Sequence, residues 1–218
     1  MFQKLNFKFD DEVVKKCLFL TQRIDTFPIL DHNKIQAYEF FDYEDGSEEK
    51  DFCQKFEKQA KEKIEKHGLT YDHRIIDFPY KKILDYLPKF LTNIEMPNAR
   101  WQKFGAKSLV APHIDADRMC SINFYLSVSD ETTMFYHKKR PGIMFKLKSG
   151  YTANESFLEE WLEPAGSFVA KQFDVYLLNS IQPHAVWNTT DKDRISLQFS
   201  FKKTTYETVW SILQNLNV

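Results

Sequence analysis

Short runs of strand-forming residues make up the second half of the chain, and this pattern constrains the fold more than any other feature of the sequence. Most of the runs end at Asp, Asn, Gly or Pro, the residues that tight turns require. Many short strands at close spacing are typical of an antiparallel sandwich or an open barrel. We predict strands over Arg100–Val110, Met119–Val128, Thr132–His137, Ser167–Ala170, Val175–Asn179, His184–Asn188 and Arg194–Lys202.

The first half of the chain carries charged helical patterns instead. Residues that can cap a helix precede the first two patterns, and Gly68 ends the second. Pro88 is expected to kink or break the third. The predicted elements are a helix from an Asp10 or Asp11 cap to about Arg23, a helix from Ser47 to Gly68, a helix over Tyr80–Ile94 and a strand over Lys34–Tyr43.

The order of these elements, helices first and a β core afterwards, predicts an α+β protein with its helices packed on the outer face of one sheet. The length of 218 residues suits a single domain with one core. Within it we expect a helical support region over residues 1–96, a β core over 97–202 and a C-terminal helix within 203–218, from Tyr206 to Leu216.

Composition argues against several classes of function. Thirty Lys and Arg against 31 Asp and Glu leave a formal net charge of −1, so no global basic field favours nucleic acid or an anionic membrane. No apolar run reaches the roughly 18 residues of a membrane span, and the N-terminus lacks a signal-peptide pattern. The three cysteines are widely spaced and form no CxxC motif, which predicts neither a disulfide framework nor a cysteine zinc site. We therefore expect a cytoplasmic protein.

The last predicted strand alternates between two kinds of residue. From Arg194 to Phe201, arginine, serine and glutamine alternate with isoleucine, leucine and phenylalanine, so one face is polar and the other apolar. Taken alone, such a strand most often lies at the surface with its polar face in water. The other interpretation turns the polar face into the interior of a wet, functional barrel. The choice between them depends on whether the chain carries a metal site.

A candidate metal site is present. His113 and Asp115 are two residues apart, so in an extended segment both side chains project to the same side and can converge on one ion. His184 follows an apolar strand about 70 residues later. Two histidines and one carboxylate on one face of a metal leave three coordination positions open, the arrangement of non-haem iron(II) oxygenases. For His113 and Asp115 alone, a hydrogen-bonded pair at a strand end is the alternative.

Arg194 follows His184 by ten residues and shares a strand face with Ser196. An arginine presents a planar fork that binds a carboxylate through two hydrogen bonds, and a hydroxyl two residues along adds another. The spacing is therefore suited to holding the distal carboxylate of 2-oxoglutarate. The oxo-acid end of that molecule takes two metal positions and leaves the third for O₂.

Taken together, these residues resemble the 2-oxoglutarate/iron(II)-dependent dioxygenase superfamily. Within it the chain is similar to the small prolyl-hydroxylase-like oxygenases, many of them from bacteria and phages. The likeness covers about residues 97–202. Two fragments carry it: His113-Ile-Asp-x-x-Arg118-x-x-Ser-Ile-Asn123-Phe-Tyr125-Leu and Pro-His184-x-Val-x-Asn188-x-x-x-x-x-Arg194.

The resemblance implies a double-stranded β-helix core, a jelly roll of the cupin-like kind, with Fe(II) as metal and 2-oxoglutarate and O₂ as co-substrates. It implies that 2-oxoglutarate pairs with Arg194, with Ser196 beside it. Residues of the strand after the first motif often line the co-substrate in this superfamily, so Asn123 or Tyr125 is expected to make a further contact. The implied catalytic metal ligands are His113, Asp115 and His184.

Other residues near the motifs have several interpretations. Arg118 lies three residues past the metal carboxylate, where it orients Asp115, binds substrate or pairs with a surface acid. The stretch over residues 137–164 separates the two motif halves and forms either a lid over the site or an ordered surface excursion. Three further histidines lie in the helical half, and nothing in the sequence groups them: His32, His67 and His73.

The resemblance implies an oxygenase that hydroxylates a C–H bond of a small molecule or peptide while 2-oxoglutarate and O₂ become succinate and CO₂. Asp115 favours hydroxylation over halogenation, because related halogenases have a small non-ligating residue at that position. Two other classes compete: a cupin-like metalloenzyme that does not use 2-oxoglutarate, and a non-catalytic β-sandwich binding protein. An arginine fork with nothing to hold argues against the first, and an intact ligand set argues against the second. The sequence identifies neither the substrate nor the oligomeric state, and it does not distinguish hydroxylation from desaturation or demethylation.

Overall fold

A computed structural model describes residues 1–33, 42–70, 72–78, 88–94, 98–128, 130–146 and 154–216, and in these ranges eleven strands form two sheets. The strands are β1 (Phe2–Lys4), β2 (Ile29–Asn33), β3 (His73–Asp77), β4 (Asn98–Phe104), β5 (Ser108–His113), β6 (Cys120–Ser127), β7 (Thr132–Lys138), β8 (Leu162–Val169), β9 (Val175–Asn179), β10 (His184–Asn188) and β11 (Arg194–Phe201). The α-helices are α1 (Asp11–Thr21), α2 (Glu48–His67), α3 (Lys89–Ile94) and α4 (Tyr206–Asn215).

The chain alternates between the two sheets. The larger sheet has the order β1-β9-β6-β11-β4-β3-β2, and the smaller has the order β5-β10-β7-β8. Neighbouring strands in both sheets are antiparallel. From β4 to β11 four strands belong to each sheet, and every connection except β7–β8 crosses from one sheet to the other. This winding is the predicted double-stranded β-helix.

Most predicted strands are confirmed within a few residues, and two are corrected. The run Arg100–Val110 is two strands, because Gly105 to Lys107 form a turn in which Lys107 has a φ of 50°. β8 begins at Leu162 rather than Ser167. Pro164 and Gly166 are unfavourable inside a strand, so the sequence does not predict one there. A register shift opposite Phe135 and Tyr136 accommodates these two residues.

The first half of the chain contains strands that the sequence did not predict. β1 lies at one edge of the larger sheet, and β3 and β2 lie at the other. Residues 1–96 are therefore more than a helical support region, because they extend the sheet at both edges. The predicted strand Lys34–Tyr43 falls mostly on residues 34–41, outside the described residues.

The helices begin and end largely where local signals predicted. The Asp10 side chain accepts a hydrogen bond from the Glu12 amide, although α1 ends at Thr21, earlier than expected, and a short 3₁₀ turn follows. Ser47 caps α2, and Gly68 ends it with a φ of +61°. α3 begins directly after the predicted break, and the earlier part of that helix, residues 79–87, lies outside the described ranges. Within those ranges no helix is long and apolar enough to cross a membrane.

The main core lies between the larger sheet and three helices. Phe124 of β6 and Leu197 and Phe199 of β11 face outward from the sheet and are buried by them. This confirms the packing of helices on one sheet for α1, α3 and α4. The helical side chains in this core are Val13, Cys17 and Leu20 of α1, Leu91 of α3, and Val209 and Leu213 of α4.

α2 packs elsewhere. Its Phe52 and Phe56 rings lie against Phe145, with centroids 5.9 and 5.5 Å away. Its Lys63 ammonium lies 4.5 Å above the ring of Trp187 in β10. α2 therefore supports the smaller sheet, which differs from the prediction that the helices of the first half share one sheet.

Candidate active site

The two candidate histidine ligands come from neighbouring strands of the smaller sheet. His113 ends β5, His184 begins β10, and the two residues face each other in the antiparallel register. Their ring centroids are 4.6 Å apart. Asp115 lies two residues past the end of β5. Its Oδ1 is 3.6 Å from Nε2 of His113, and its Oδ2 is 3.6 Å from Nε2 of His184. One ligand atom from each of the three residues falls within 4.8 Å of the others. The predicted triad is thus brought together.

Backbone carbonyls determine which nitrogen of each imidazole faces the shared point. Nδ1 of His113 donates to the Ala111 carbonyl at 2.8 Å, and Nδ1 of His184 donates to the Gln182 carbonyl at 2.9 Å. A carbonyl only accepts, so each Nδ1 carries the proton and each Nε2 is free to bind a metal. Burial, and next the proximity of His113, lower the pKa of His184 to about 4, so this imidazole is neutral near pH 7.

The Asp115 carboxylate is buried and only half satisfied. Its Oδ1 pairs with Arg118 at 2.7 Å, whereas Oδ2 has no hydrogen-bond partner among the described residues. Burial by itself raises the pKa of Asp115, but Arg118 and the two histidines outweigh this and hold the pKa below its usual range. An ionised oxygen without a partner, beside two unprotonated imidazole nitrogens, fits a divalent cation of the iron type.

Arg118 connects this site to the larger sheet. Besides Asp115 it binds Asp117 at 2.8 Å, and Asp117 also accepts a hydrogen bond from Arg100 of β4 at 2.9 Å. Arg118 is buried, and its contacts match two of its predicted interpretations, because it orients Asp115 and also pairs with the exposed acid Asp117. It holds one carboxylate oxygen and leaves the other facing the histidines.

The polar face of β11 lies inside the barrel and not in water. Arg194, Ser196, Gln198 and Ser200 are each at most 2% exposed. The surface interpretation of this strand is therefore wrong. The apolar face of the same strand already packs on the helices, so the polar face is left for the space between the sheets.

Arg194 lies in a built site on this inner face. Its terminal nitrogens donate to the Tyr125 hydroxyl at 2.8 Å and to the Thr133 hydroxyl at 3.1 Å. Its Nε lies 3.2 Å from a carboxylate oxygen of Glu131. The Ser196 hydroxyl is buried and has no hydrogen-bond partner in the described part of the chain. A ligand with acceptor oxygens fits this unused hydroxyl beside an arginine fork.

Both residues predicted from β6 adjoin this site. Tyr125 is paired with Ser196, and Asn123 with Gln198, across the β6–β11 ladder. Burial raises the pKa of Tyr125, so its hydroxyl stays protonated as it accepts from Arg194. The Asn123 carbonyl oxygen is buried, and no donor reaches it from the residues described.

Two further members of the Arg194 site were not predicted from the sequence. Glu131 precedes β7 in a polar stretch that is typical of a turn, yet it is only 1% exposed. Thr133 is the second residue of β7, and nothing in the sequence of this short strand distinguishes it from its neighbours. Each binds Arg194 from a position more than 60 residues away. No local pattern reports such a contact.

His73 also lies on the inner face, although nothing in the sequence grouped it with the site. It pairs with Phe104 across β3 and β4, and Phe104 pairs with Arg194 in turn. Its ring stacks on Phe104 with centroids 4.3 Å apart. The residue as a whole is half-buried, but its Nε2 atom is buried and has no hydrogen-bond partner within the described ranges. Burial, and then the charges of His113 and Arg118, lower the pKa of His73 to about 3.

The stretch between the motif halves reaches the metal end of the site. Ser156 forms isolated antiparallel β-bridges with His113 and with Ile143. The Ile114 amide donates a hydrogen bond to the Glu155 carbonyl at 2.9 Å. Residues 147–153 lie outside the described ranges. Closure of this stretch as a lid stays a prediction.

No protein family and no curated protein matches the sequence. Among solved structures, the non-heme alpha-ketoglutarate-dependent epimerase SnoN from nogalamycin biosynthesis is similar at a TM-score of 0.50 and 14% identity, over 90% of this chain and 76% of that one. The ribosomal oxygenase YcfD from Escherichia coli gives a TM-score of 0.38 and 10% identity, over 68% of this chain and 37% of that one. The oxalate decarboxylase OxdC from Bacillus subtilis gives 0.32 and 11%, over 62% and 26%. The chain thus spans well under half the length of the last two proteins.

The likeness to SnoN shows the fold, and the site adds the chemistry. Two histidines and an aspartate gathered within a double-stranded β-helix are the ligand set that a facial-triad, non-haem metal site requires. The ligand types of His113, Asp115 and His184 fit Fe(II), and the resemblance to the 2-oxoglutarate/Fe(II)-dependent superfamily stays a prediction. The narrower resemblance to the bacterial and phage prolyl-hydroxylase-like group stays a prediction.

Proposed function

We propose that this protein is a 2-oxoglutarate-dependent Fe(II) oxygenase that hydroxylates a C–H bond of a small-molecule or peptide substrate. The observation that supports it best is the pairing of two incomplete sites inside one barrel. The triad leaves Asp115 Oδ2 without a partner in the described structure, and the Arg194 site likewise leaves the Ser196 hydroxyl unused. A metal ion would complete the first and a carboxylate the second.

In this proposal His113, Asp115 and His184 hold the metal. When bound, iron with 2-oxoglutarate and O₂ supplies the oxidising chemistry, in which the oxo acid becomes succinate and CO₂ and one oxygen atom enters the substrate. The Ala111 and Gln182 carbonyls keep both histidines in the ligating tautomer. Arg118 keeps the aspartate turned toward them.

The co-substrate is held at its other end by the larger sheet. Arg194 and Ser196 would bind the distal carboxylate, and Tyr125 and Thr133 fix the arginine while their own hydroxyl protons remain free to donate. The burial of this face excludes bulk water, which strengthens each of these interactions. Asp115 as a ligand favours hydroxylation over halogenation, since it fills the position that a halide would take.

A cupin-like metalloenzyme without 2-oxoglutarate is the second candidate, and one observation favours it. The prediction that Arg194 would have nothing to hold without 2-oxoglutarate is wrong, because Glu131 pairs with it. The arginine alone therefore does not distinguish the two functions. The unused Ser196 hydroxyl and Asn123 carbonyl, which no described residue satisfies, favour the co-substrate.

The deciding experiment is calorimetric titration of 2-oxoglutarate into anaerobic Mn(II)-loaded protein. Arg194→Ala should lower the affinity by roughly 10²–10³ or more, because breaking a buried ion pair costs about 3–5 kcal/mol. Arg194→Lys should recover only part, since an ammonium lacks the fork. Arg23→Ala, an exposed arginine outside the barrel, is the matched control and should bind like wild type.

Absence of 2-oxoglutarate binding to the wild type would reject the proposal and favour the cupin-like enzyme. Equal affinity in wild type and Arg194→Ala would reject the assignment of Arg194. For the reaction itself, hydroxylation should appear as succinate formation coupled to a gain of about 16 Da in a candidate substrate, the mass of one oxygen atom. Succinate formation with a different mass change would replace hydroxylation by another oxidation.

A further inference from the structure

We propose that Glu131 is an internal counter-ion that competes with the distal carboxylate of the co-substrate for Arg194, and so weakens the binding of both 2-oxoglutarate and succinate. The inference rests on the proposed function, because it assumes that Arg194 receives that carboxylate. It assigns a role to a residue that neither the metal site nor the arginine fork requires.

The Glu131–Arg194 pair is as buried as any in the described protein. Both side chains are 1% exposed, and the Nε of Arg194 lies 3.2 Å from Glu131 Oε1. The two charges are close, yet within the described residues no acceptor is aligned with the Nε–H as a hydrogen bond. The contact is therefore mainly electrostatic. A carboxylate that is better aligned than Glu131 can therefore use N–H donors of Arg194 that Glu131 does not use.

Those donors follow from the structure of the guanidinium group, which has five N–H bonds. One N–H on each terminal nitrogen is used, by Thr133 and by Tyr125. Each terminal nitrogen has two N–H bonds, so one remains on each. A carboxylate can take these two while Glu131 stays at Nε. Two anions then share one cation.

The free energy of that arrangement depends on charge. Before the co-substrate binds, Arg194 and Glu131 together are neutral, which is the favourable state for a buried cation. A second carboxylate leaves the group with a net charge of −1 in a site where water screens little. Glu131 thus stabilises the ligand-free protein and opposes the ligand. Because 2-oxoglutarate and succinate have the same distal carboxylate, it weakens both, which favours release of the product.

The test is Glu131→Gln, which keeps the shape of the side chain and removes its charge. In anaerobic calorimetry on Mn(II)-loaded protein, the variant should bind both 2-oxoglutarate and succinate at least about tenfold more tightly than wild type, equivalent to about 1.4 kcal/mol. Without ligand, it should unfold at a lower temperature than wild type, since Arg194 has lost its counter-charge.

Three further variants separate charge from contact. Thr133→Val removes a neighbour of Arg194 without changing charge, and its binding should not become tighter. Glu57→Gln removes the same charge on α2, where Glu57 pairs with Lys61, and should bind like wild type. If Glu131→Gln does not fold, Glu131→Asp keeps the charge but withdraws it by one methylene. It should bind 2-oxoglutarate more tightly than wild type, by a smaller factor.

Equal or weaker binding by Glu131→Gln, or by Glu131→Asp in its place, overturns the inference while the proposed function stands. Glu131 would then only position Arg194. A wild type that binds no 2-oxoglutarate rejects the proposed function, and the inference falls with it. The two failures are distinguished by the wild-type titration alone.

Discussion

Ser196 is a small residue of the proposed co-substrate site. Its hydroxyl is buried, and the described residues provide no hydrogen bond to it. Ser196→Ala should therefore leave the stability of the ligand-free protein unchanged or raise it, because no internal bond is lost. The binding free energy of 2-oxoglutarate should weaken by about 1.5–3 kcal/mol, the contribution of one hydrogen bond to a charged group.

Ser200 provides the matched control on the same strand face, since its hydroxyl donates to Gln198 at 3.1 Å. Ser200→Ala should cost stability and leave the affinity for 2-oxoglutarate as it is. Calorimetry and thermal unfolding measure both variants. Loss of stability without loss of affinity in Ser196→Ala would show that its hydroxyl supports the fold instead.

His73 makes the stability of the metal-free protein depend on pH. Its pKa is about 3 in the folded protein, chiefly because of burial, against a usual value of 6.5. As the pH falls below 6.5, the unfolded chain binds a proton that the folded protein refuses. The stabilisation is therefore complete above pH 6.5 and is lost toward pH 3, by up to about 1.4 kcal/mol per pH unit.

His73→Phe should reduce the slope of the free energy of unfolding against pH, because about one proton fewer is bound on unfolding. His184 contributes to the slope in the same direction and is unchanged in the variant. Urea unfolding of wild type and variant at a series of pH values below 6.5 measures the two slopes. Parallel curves would mean that His73 titrates alike in the folded and unfolded chains.

At the scale of the element, strand β11 contributes to both the core and the candidate site, because its apolar face packs in the core and its polar face lines the inside of the barrel. Leu197 and Phe199 belong to the helix-covered core. On the inner face, Gln198 Oε1 accepts hydrogen bonds from Arg100, Gln102 and Ser200 at 3.0 to 3.1 Å. A single amide oxygen thus satisfies buried donors from both β4 and β11.

Gln198→Leu should be strongly destabilising, because it leaves three buried donors without their acceptor. Each such donor costs about 1–3 kcal/mol, so a loss of about 3 kcal/mol or more is expected. Leu197→Ile, one residue away on the apolar face, conserves volume and should cost less than about 1.5 kcal/mol. Denaturant unfolding of both variants checks this. Similar losses in the two would mean that the polar network does not stabilise the barrel.

At the scale of the whole molecule, the two halves of the site belong to different sheets. The histidines lie on β5 and β10 of the smaller sheet, whereas Arg194 lies on β11 of the larger. A ligand that spans both therefore links the sheets, and each bound component should add to the stability of the folded state.

Mn(II) in hundredfold excess over its dissociation constant should stabilise the protein by about 2.7 kcal/mol, and 2-oxoglutarate should add to this only when metal is present. The double variant His113→Ala/His184→Ala should show neither effect, because it lacks both imidazole ligands. Thermal unfolding with and without each component measures the increments. Equal stabilisation of the double variant by Mn(II) would locate the ion elsewhere.

Local signals allowed the sequence to predict several elements correctly. Ser47 and Gly68 bound α2 as predicted, because a helix cap depends on hydrogen bonds within a few residues. The alternation from Arg194 to Phe201 gave a strand with two unlike faces, since side-chain direction in a strand has a period of two. The ligand types and their order predicted the triad at His113, Asp115 and His184, and the structure brings these residues together.

Tertiary structure decided what depends on distant parts of the chain. Only the assembled barrel turns the polar face of β11 inward and buries Glu131 beside Arg194. Only the sheet order brings His73 into line with Phe104 and Arg194, from a region whose strands were not predicted. The physical reason is the same in each case. Burial, and the charge partner that a buried group receives, are fixed by strands that are distant in the sequence, from 31 residues apart for His73 and Phe104 to 90 for Phe104 and Arg194. No short stretch of sequence carries that information.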